Sequence, residues 1–286
     1  MMRKMTPQKK IIGYILMIIV AIWILAPIYW LVISSLSTQS SLLIKPIDWF
    51  PNDLTLKNYI NIFSFQKGSS QSAEMFTTAL YNSVYVSFFV TLVSLIVGIP
   101  AAYSFSRLDF KGRRIGMLTM IATRMIPVVS LIIPIYILIN NIGLLDKKIT
   151  LVFVYLSFTL PFVIYIMTGF FRSIPKELED SARIDGCSRL GALIRVILPL
   201  SGPGIASVSI FSFLLAWDQF FYALILTNSY ASKTVPVAIT EFTGRHAVNY
   251  TAMTTGGVLA AIPPMIIVLL FQRLIIKGLT AGSVKG

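Results

Sequence analysis

No residue between Lys10 and Lys45 carries a charge, and the same holds between Glu74 and Arg107, between Lys148 and Arg172, and between Arg195 and Asp218. Runs of that length decide the class of fold. A helix rises 1.5 Å per residue, so about 20 apolar residues cross the ~30 Å hydrocarbon core of a bilayer. Six segments qualify, at about 11–33, 79–103, 115–139, 149–171, 204–226 and 252–274. In lipid each segment must satisfy its own backbone hydrogen bonds, which leaves the helix as the expected form. The composition agrees, with 56% of the 286 residues hydrophobic and 12% charged, about half the charged share of a soluble domain. The expected fold is an all-α integral membrane protein with six transmembrane helices.

The first run follows Arg3, Lys4, Lys9 and Lys10, as in a secretory signal. Signal cores are shorter, about 7–15 residues, so this run is read as a retained first span. Orientation follows from the basic residues of the connections. With the N-terminus inside, sixteen of the 24 Lys and Arg fall on the inner side and seven on the outer. Both termini are therefore expected in the cytoplasm. Residues 1–78 are read as an N-terminal helix and extracytoplasmic loop, and residues 79–286 as a five-helix core. Pro100, Pro127, Pro134, Pro161, Pro263 and Pro264 lie in or at the ends of spans. They are either hinges around a pathway or the ordinary proline content of membrane helices.

Several functions are excluded. The net charge of +13 is spread at the ends of apolar runs, where it signals topology, and does not form a basic stripe for nucleic acid. Cys187 is the only cysteine and His246 the only histidine, which leaves no intramolecular disulfide and no cysteine cluster for a metal. No G-x-x-x-x-G-K-[ST] phosphate loop occurs, so the chain carries no ATPase site of its own. No cofactor is expected on it.

Residues 172–203 form a charged island between two spans, too long for a simple connector. Pro175 suits a first helical turn, and Glu177, Glu179 and Asp180 follow where the helix dipole favours acids. Ile174, Leu178 and Ala182 share a face. Gly186 is a natural helix stop and Ser188 a natural N-cap. Leu190, Leu193, Ile194 and Ile197 give a second apolar stripe, and Pro199 is expected to end that helix. The result is a cytoplasmic elbow. Its acidic first helix disfavours anionic lipid and favours a groove on another protein; a loop packed internally is the competing reading.

The stretch ELEDSARIDGCSRLGALIRVILPL resembles the signature loop of ATP-binding-cassette importer permeases. Asp180-Ser181-Ala182 occupies the Glu-Ala-Ala positions, Asp185-Gly186 the following pair, and Ile197, Leu198 and Pro199 its end. Asp180 and Ser181 depart from the usual residues. TRMIPVVSLIIPIYILINNIGLLD, LPFVIYIMTGFFRSIPKELED and FQRLIIKGLTAGSVKG are similar to the six-helix half of maltose-type carbohydrate permeases. The resemblance covers about residues 65–286. It implies a carbohydrate importer in a bacterial or archaeal cell membrane. The elbow would be the coupling helix, docking an ATPase subunit through Leu178, Glu179, Asp180, Ser181, Ala182, Asp185, Gly186, Leu198 and Pro199. The tail, residues 275–286, would approach the ATPase pair through Lys285 and Gly286. ATP and Mg would sit on two partner ATPase subunits. A second, different permease subunit and an extracytoplasmic solute-binding protein complete the implied assembly.

An ionisable residue inside a span is costly and faces a cavity or a partner. Asp218 lies in Trp217-Asp218-Gln219-Phe220-Phe221-Tyr222 on the fifth span, and Arg124 on the third. Aromatic faces and polar groups together suit a sugar. Asn82, Arg124, Trp217, Asp218, Gln219 and Tyr222 are the expected pathway residues. The competing readings are a structural Arg124–Asp218 ion pair, aromatic packing for Trp217 and Tyr222, and an interhelical hydrogen bond for Asn82. An autonomous secondary transporter is the rival function, expected to show inverted repeats. An intramembrane enzyme lacks the nucleophile and base it needs.

Overall fold

The computed structural model describes residues 7–51, 53–63, 71–243 and 248–281, with side chains placed at 8–51, 53–63, 75–243 and 248–272. His246, Lys285 and Gly286 lie outside the described residues. Every regular element among those described is helical: α1 (Pro7–Leu36), α2 (Lys57–Phe63), α3 (Gln71–Arg107), α4 (Arg113–Thr123), α5 (Val128–Asn141), α6 (Lys148–Ser173), α7 (Lys176–Ile184), α8 (Arg189–Ala192), a π turn (Leu193–Ile197), α9 (Leu198–Leu200), α10 (Gly202–Trp217), α11 (Phe221–Leu226), α12 (Val235–Thr240) and α13 (Tyr250–Ala281). Among the described residues four helices are long and apolar enough to cross a membrane, and up to six spans result when each bent pair counts as one. This is the all-α, six-span class expected from the apolar runs.

The chain divides into two compact units. The first comprises Met1–Phe76 with Ile239–Ala261, so residues 239–261, expected in the core, pack with the N-terminal helix and loop. The Gln39 amide holds that return segment, donating to the Val248 carbonyl at 2.8 Å and accepting from the Thr251 N–H at 3.3 Å. Asn58 donates to the Ser35 and Ser37 carbonyls at the end of α1, where the helix has run out of intrahelical donors. The apolar stretch of α1 is unburied along its length, as suits a helix solvated by lipid.

The second unit, Thr77–Ala238 with Ile262–Gly286, holds the core, and α6 is its axis. Half of the apolar stretch of α6 is buried, more than in any other long helix. At one end Leu151, Val152 and Tyr155 pack with Val86 and Val90 of α3, Ala216 of α10 and Tyr222 of α11. At the other, Val163, Met167 and Phe171 pack with Ala102 and Tyr103 of α3, Leu193 and Ile197 of the π turn and Val208 of α10. Two glycines bring neighbours close. A Cβ on Gly98 would lie 2.7 Å from Val163 Cγ1, and one on Gly204 would lie 2.7 Å from the Phe170 ring. Only glycine permits that approach.

Two spans are not the straight helices expected. The third is α4 and α5, bent by 96°. Pro127 has no N–H to continue α4 and disfavours a helical Ile126 before it, and it takes an extended conformation as the N-cap of α5. The fifth stops at Trp217 and resumes as α11. At that break the Tyr155 hydroxyl donates to the freed Gln219 carbonyl at 3.4 Å. Pro199 does not end the second elbow helix either. The π turn precedes it and α9 carries it in its first turn, where its missing donor is tolerated.

At the N-terminal end of α6, Asp146 adopts a left-handed φ of 60°. Its carboxylate accepts from the N–H groups of Asn228 (2.8 Å) and Ser229 (2.9 Å) and from the Ser232 hydroxyl. Partial burial pushes its carboxyl up, but the hydrogen bonds from Ser232, Ser229 and Asn228 outweigh it and hold it down at about 2, against an ordinary 3.8. A depressed pKa means the ionised form is the one the fold binds. Its stabilisation is complete above about pH 4 and lost as pH falls toward 2. A thermal melt in detergent should therefore drop across that window, and Asp146→Asn should flatten that drop. An unchanged pH profile in the variant would count against this clasp.

Candidate functional site

The elbow is built by short-range chemistry. Pro175 N-caps α7 and Ile184 closes it. Gly186 follows with φ 89°, its N–H bonded to the Arg183 carbonyl, while the Cys187 N–H reaches the Ala182 carbonyl. This double closure is a Schellman stop, which calls for glycine at the left-handed position. The Ser188 hydroxyl then accepts from the Gly191 N–H at 3.1 Å and starts α8.

Two faces result. The inner face holds Ala182, Ala192, Leu193 and Ile197, all buried. The outer face presents Ile184 at 86% exposure, Leu190 at 62%, Ile194 at 54% and Leu178 at 44%, with Asp180, Ser181, Asp185, Gly186 and Pro199 exposed and Leu198 half-buried. Each expected apolar stripe is thus divided. Leu178 faces out while Ala182 faces in, and Leu190 and Ile194 face out while Leu193 and Ile197 face in. An exposed aliphatic row of this kind marks an interaction surface, for a protein or for a membrane. Ile184 was not among the expected docking residues. It falls outside the four-residue spacing of Ile174, Leu178 and Ala182, and its signal is an isoleucine beside an Asp-Gly stop.

Glu179 points inward, contrary to its expected place on the docking surface. Its carboxylate pairs with Arg107 Nε at 3.1 Å, with side-chain exposures of 10% and 5%, and accepts from the Tyr103 hydroxyl. Arg107 Nη2 also donates to the Ile174 carbonyl at 2.8 Å. The last turn of α3 therefore grips the elbow at two points. A buried carboxylate requires a cation and donors, and Arg107 and Tyr103 supply them. Neither was expected in the site, because their link to Glu179 is tertiary.

The expected pathway residues do not form one cluster. Asn82 is fully buried and donates to the Tyr230 and Lys233 carbonyls at 3.1 and 2.9 Å, so it pins the turn before α12. Arg124 sits at the exposed bend after α4, its guanidinium 5.0 Å from the centre of the Phe162 ring. Among the described residues no ion pair joins it to Asp218. Trp217 is buried and stacked on Phe213 (5.7 Å, 18°), and Tyr222 is buried and stacked on Phe158 (6.4 Å, 11°). Both aromatics pack the core. Asp218 is exposed and Gln219 half-buried at the break between α10 and α11. Of the six residues, these two present polar groups at the break of the fifth span and Arg124 at the bend of the third.

Comparison with known proteins gives a consistent result. The profile of the family described as binding-protein-dependent transport system inner membrane component matches residues 94–281. The sulfoquinovosyl glycerol transport system permease protein SmoH of Agrobacterium fabrum is 36% identical over 262 residues, covering 92% of this chain and 89% of that protein. The trehalose/maltose transport system permease protein MalG of Thermococcus litoralis is 34% identical over 277 residues, covering 96% of each. A chain from the crystal structure of a bacterial ABC transporter involved in the import of the acidic polysaccharide alginate superposes with a TM-score of 0.78. It covers 95% of this chain and 99% of that one at 22% identity, a likeness of fold.

Proposed function

We propose, for a chain that belongs to the family of binding-protein-dependent transport system inner membrane components, the role of permease subunit in an ATP-binding-cassette importer of a carbohydrate. The observation that carries this reading is similarity to sugar permeases over more than nine-tenths of the chain. The rival of an autonomous secondary transporter draws no support from these relatives.

The permease works with two ATPase subunits, a second and different permease chain, and an extracytoplasmic binding protein, in a bacterial or archaeal cell membrane. Both its termini are cytoplasmic, in line with the basic inner connections. ATP and Mg act on the ATPase subunits. Their closure moves the elbow, and the Arg107–Glu179 pair passes that displacement to α3. The shared packing of Phe171, Leu193, Ile197 and Val208 passes it to α6 and α10. The ATP-bound partner thereby shifts the chain between two arrangements of spans. Asp218 and Gln219, at the break in the fifth span, offer polar groups to sugar hydroxyls.

The test is uptake of labelled sugars by vesicles containing the complete transporter. Import should survive collapse of proton and sodium gradients and stop when ATP is depleted; the reverse result would sink the proposal. Asp218→Asn should lower uptake severalfold with assembly unchanged, and wild-type uptake would remove Asp218 from the pathway.

A further inference from the structure

We propose that a cavity beside the elbow, at the α3–α4 turn, is a binding site for the headgroup of an anionic phospholipid. The cavity has a volume of about 640 Å³ and is lined by Arg113, Arg114 and Arg172 together with Phe110, Ile115 and Leu118. The inference rests on the membrane-spanning reading of the chain and is independent of the sugar and of ATP.

Depth is the first argument. The uncharged run of α3 ends at Arg107 and that of α6 at Arg172, so these arginines mark the boundary of the hydrocarbon. Arg172 itself lines the cavity, which puts the cavity at that boundary. The lining is the second. Phe110, Ile115 and Leu118 are 44%, 70% and 56% exposed, a surface suited to acyl chain below a headgroup. Arg114 and Arg172 bring guanidinium groups to the same lining, and guanidinium matches phosphate with paired N–H donors, whereas Arg113 is taken up by Asp109 and by the Leu108 and Ser106 carbonyls. A lining that combines guanidinium groups with exposed aromatic and aliphatic side chains suits a phospholipid better than a soluble anion.

The third argument is charge. Arg113 is paired with Asp109 at 2.8 Å, while among the described residues no ion pair engages Arg114 or Arg172. Arg172 Nη2 makes only a long bond, 3.5 Å, to the Phe105 carbonyl. Lys111 adds a further positive charge in the same turn. Basic pockets at the ends of spans recognise anionic headgroups for this reason. The cavity is also preformed. Phe105 meets Phe110 edge-on at 5.4 Å, and a Cβ on Gly116 would lie 3.3 Å from Phe105, so α4 is held tightly against its neighbour.

The experiment uses the whole transporter in nanodiscs of phosphatidylcholine with graded phosphatidylglycerol. Native mass spectrometry counts the lipids retained after release. Wild type should keep phosphatidylglycerol in preference to phosphatidylcholine, and millimolar inorganic phosphate should not displace it. The Arg114→Gln/Arg172→Gln variant should lose that preference by roughly tenfold or more. Arg114→Gln alone, at an exposed position, gives a smaller loss and guards against misfolding of the double variant. Equal retention by wild type and both variants would overturn the site. So would displacement by free phosphate, or capture of another subunit in place of lipid by a photo-crosslinker at Ile115. Because lipid retention needs neither sugar nor nucleotide, its failure leaves the importer reading standing, and the reverse also holds.

Discussion

Replacing Glu179 with alanine should abolish sugar import while the transporter still assembles and still hydrolyses ATP. The change leaves the Arg107 guanidinium buried without its anion, and removing one partner of a buried pair costs about 3–5 kcal/mol. That cost falls on the joint between α3 and the elbow, not on the outer face, so the ATPase subunits keep their seat. The measured quantity is sugar moved per ATP consumed, expected to fall at least tenfold. Exchanging the charges, Arg107→Glu with Glu179→Arg, should restore part of the coupling. A glutamate that served only in docking would behave differently. Its loss would strip the ATPase from the complex, and the exchange would rescue nothing. Either result would refute the internal role.

The second large effect is expected on the opposite face. Ile184→Asp with Leu190→Asp should eliminate co-purification of the ATPase subunits while the permease remains in the membrane. Burying an aliphatic side chain of this size at an interface is worth about 1.5–3 kcal/mol, and each aspartate adds the cost of an unpaired charge in the contact. Two such sites together weaken docking by roughly a hundredfold or more. Retention of the ATPase at wild-type level by the double variant would show that the partner sits elsewhere. Glu179→Ala and this pair should fail in different ways, one losing coupling and the other assembly.

What was legible in the sequence follows the range of the interaction involved. The uncharged runs fixed α1, α3, α6 and α13, because crossing lipid is a requirement on composition and length. The Gly186 stop and the Ser188 cap were legible because each is decided within a few residues. The breaks in the third and fifth spans were not. Of the six prolines named at the spans, Pro100, Pro134, Pro161, Pro263 and Pro264 lie inside continuous helices and Pro127 coincides with a break, so proline alone did not tell a break from an unbroken helix. The inward turn of Glu179 depends on Arg107, 72 positions earlier in the chain, and no local pattern carries that. Trp217 and Tyr222 had the composition of a sugar site, yet Phe213 and Phe158 occupy their ring faces.

The closure of α7 by Gly186 and the start of α8 at Ser188 lie two residues apart, and each is tied by its own hydrogen bonds. A joint made this way has little compliance. A load applied at Ile184 cannot be absorbed by bending between the two short helices, so it must reappear as displacement where Glu179 meets α3. In the proposed importer the segment is therefore expected to act as a stiff crank, its stroke set by geometry and not by softness.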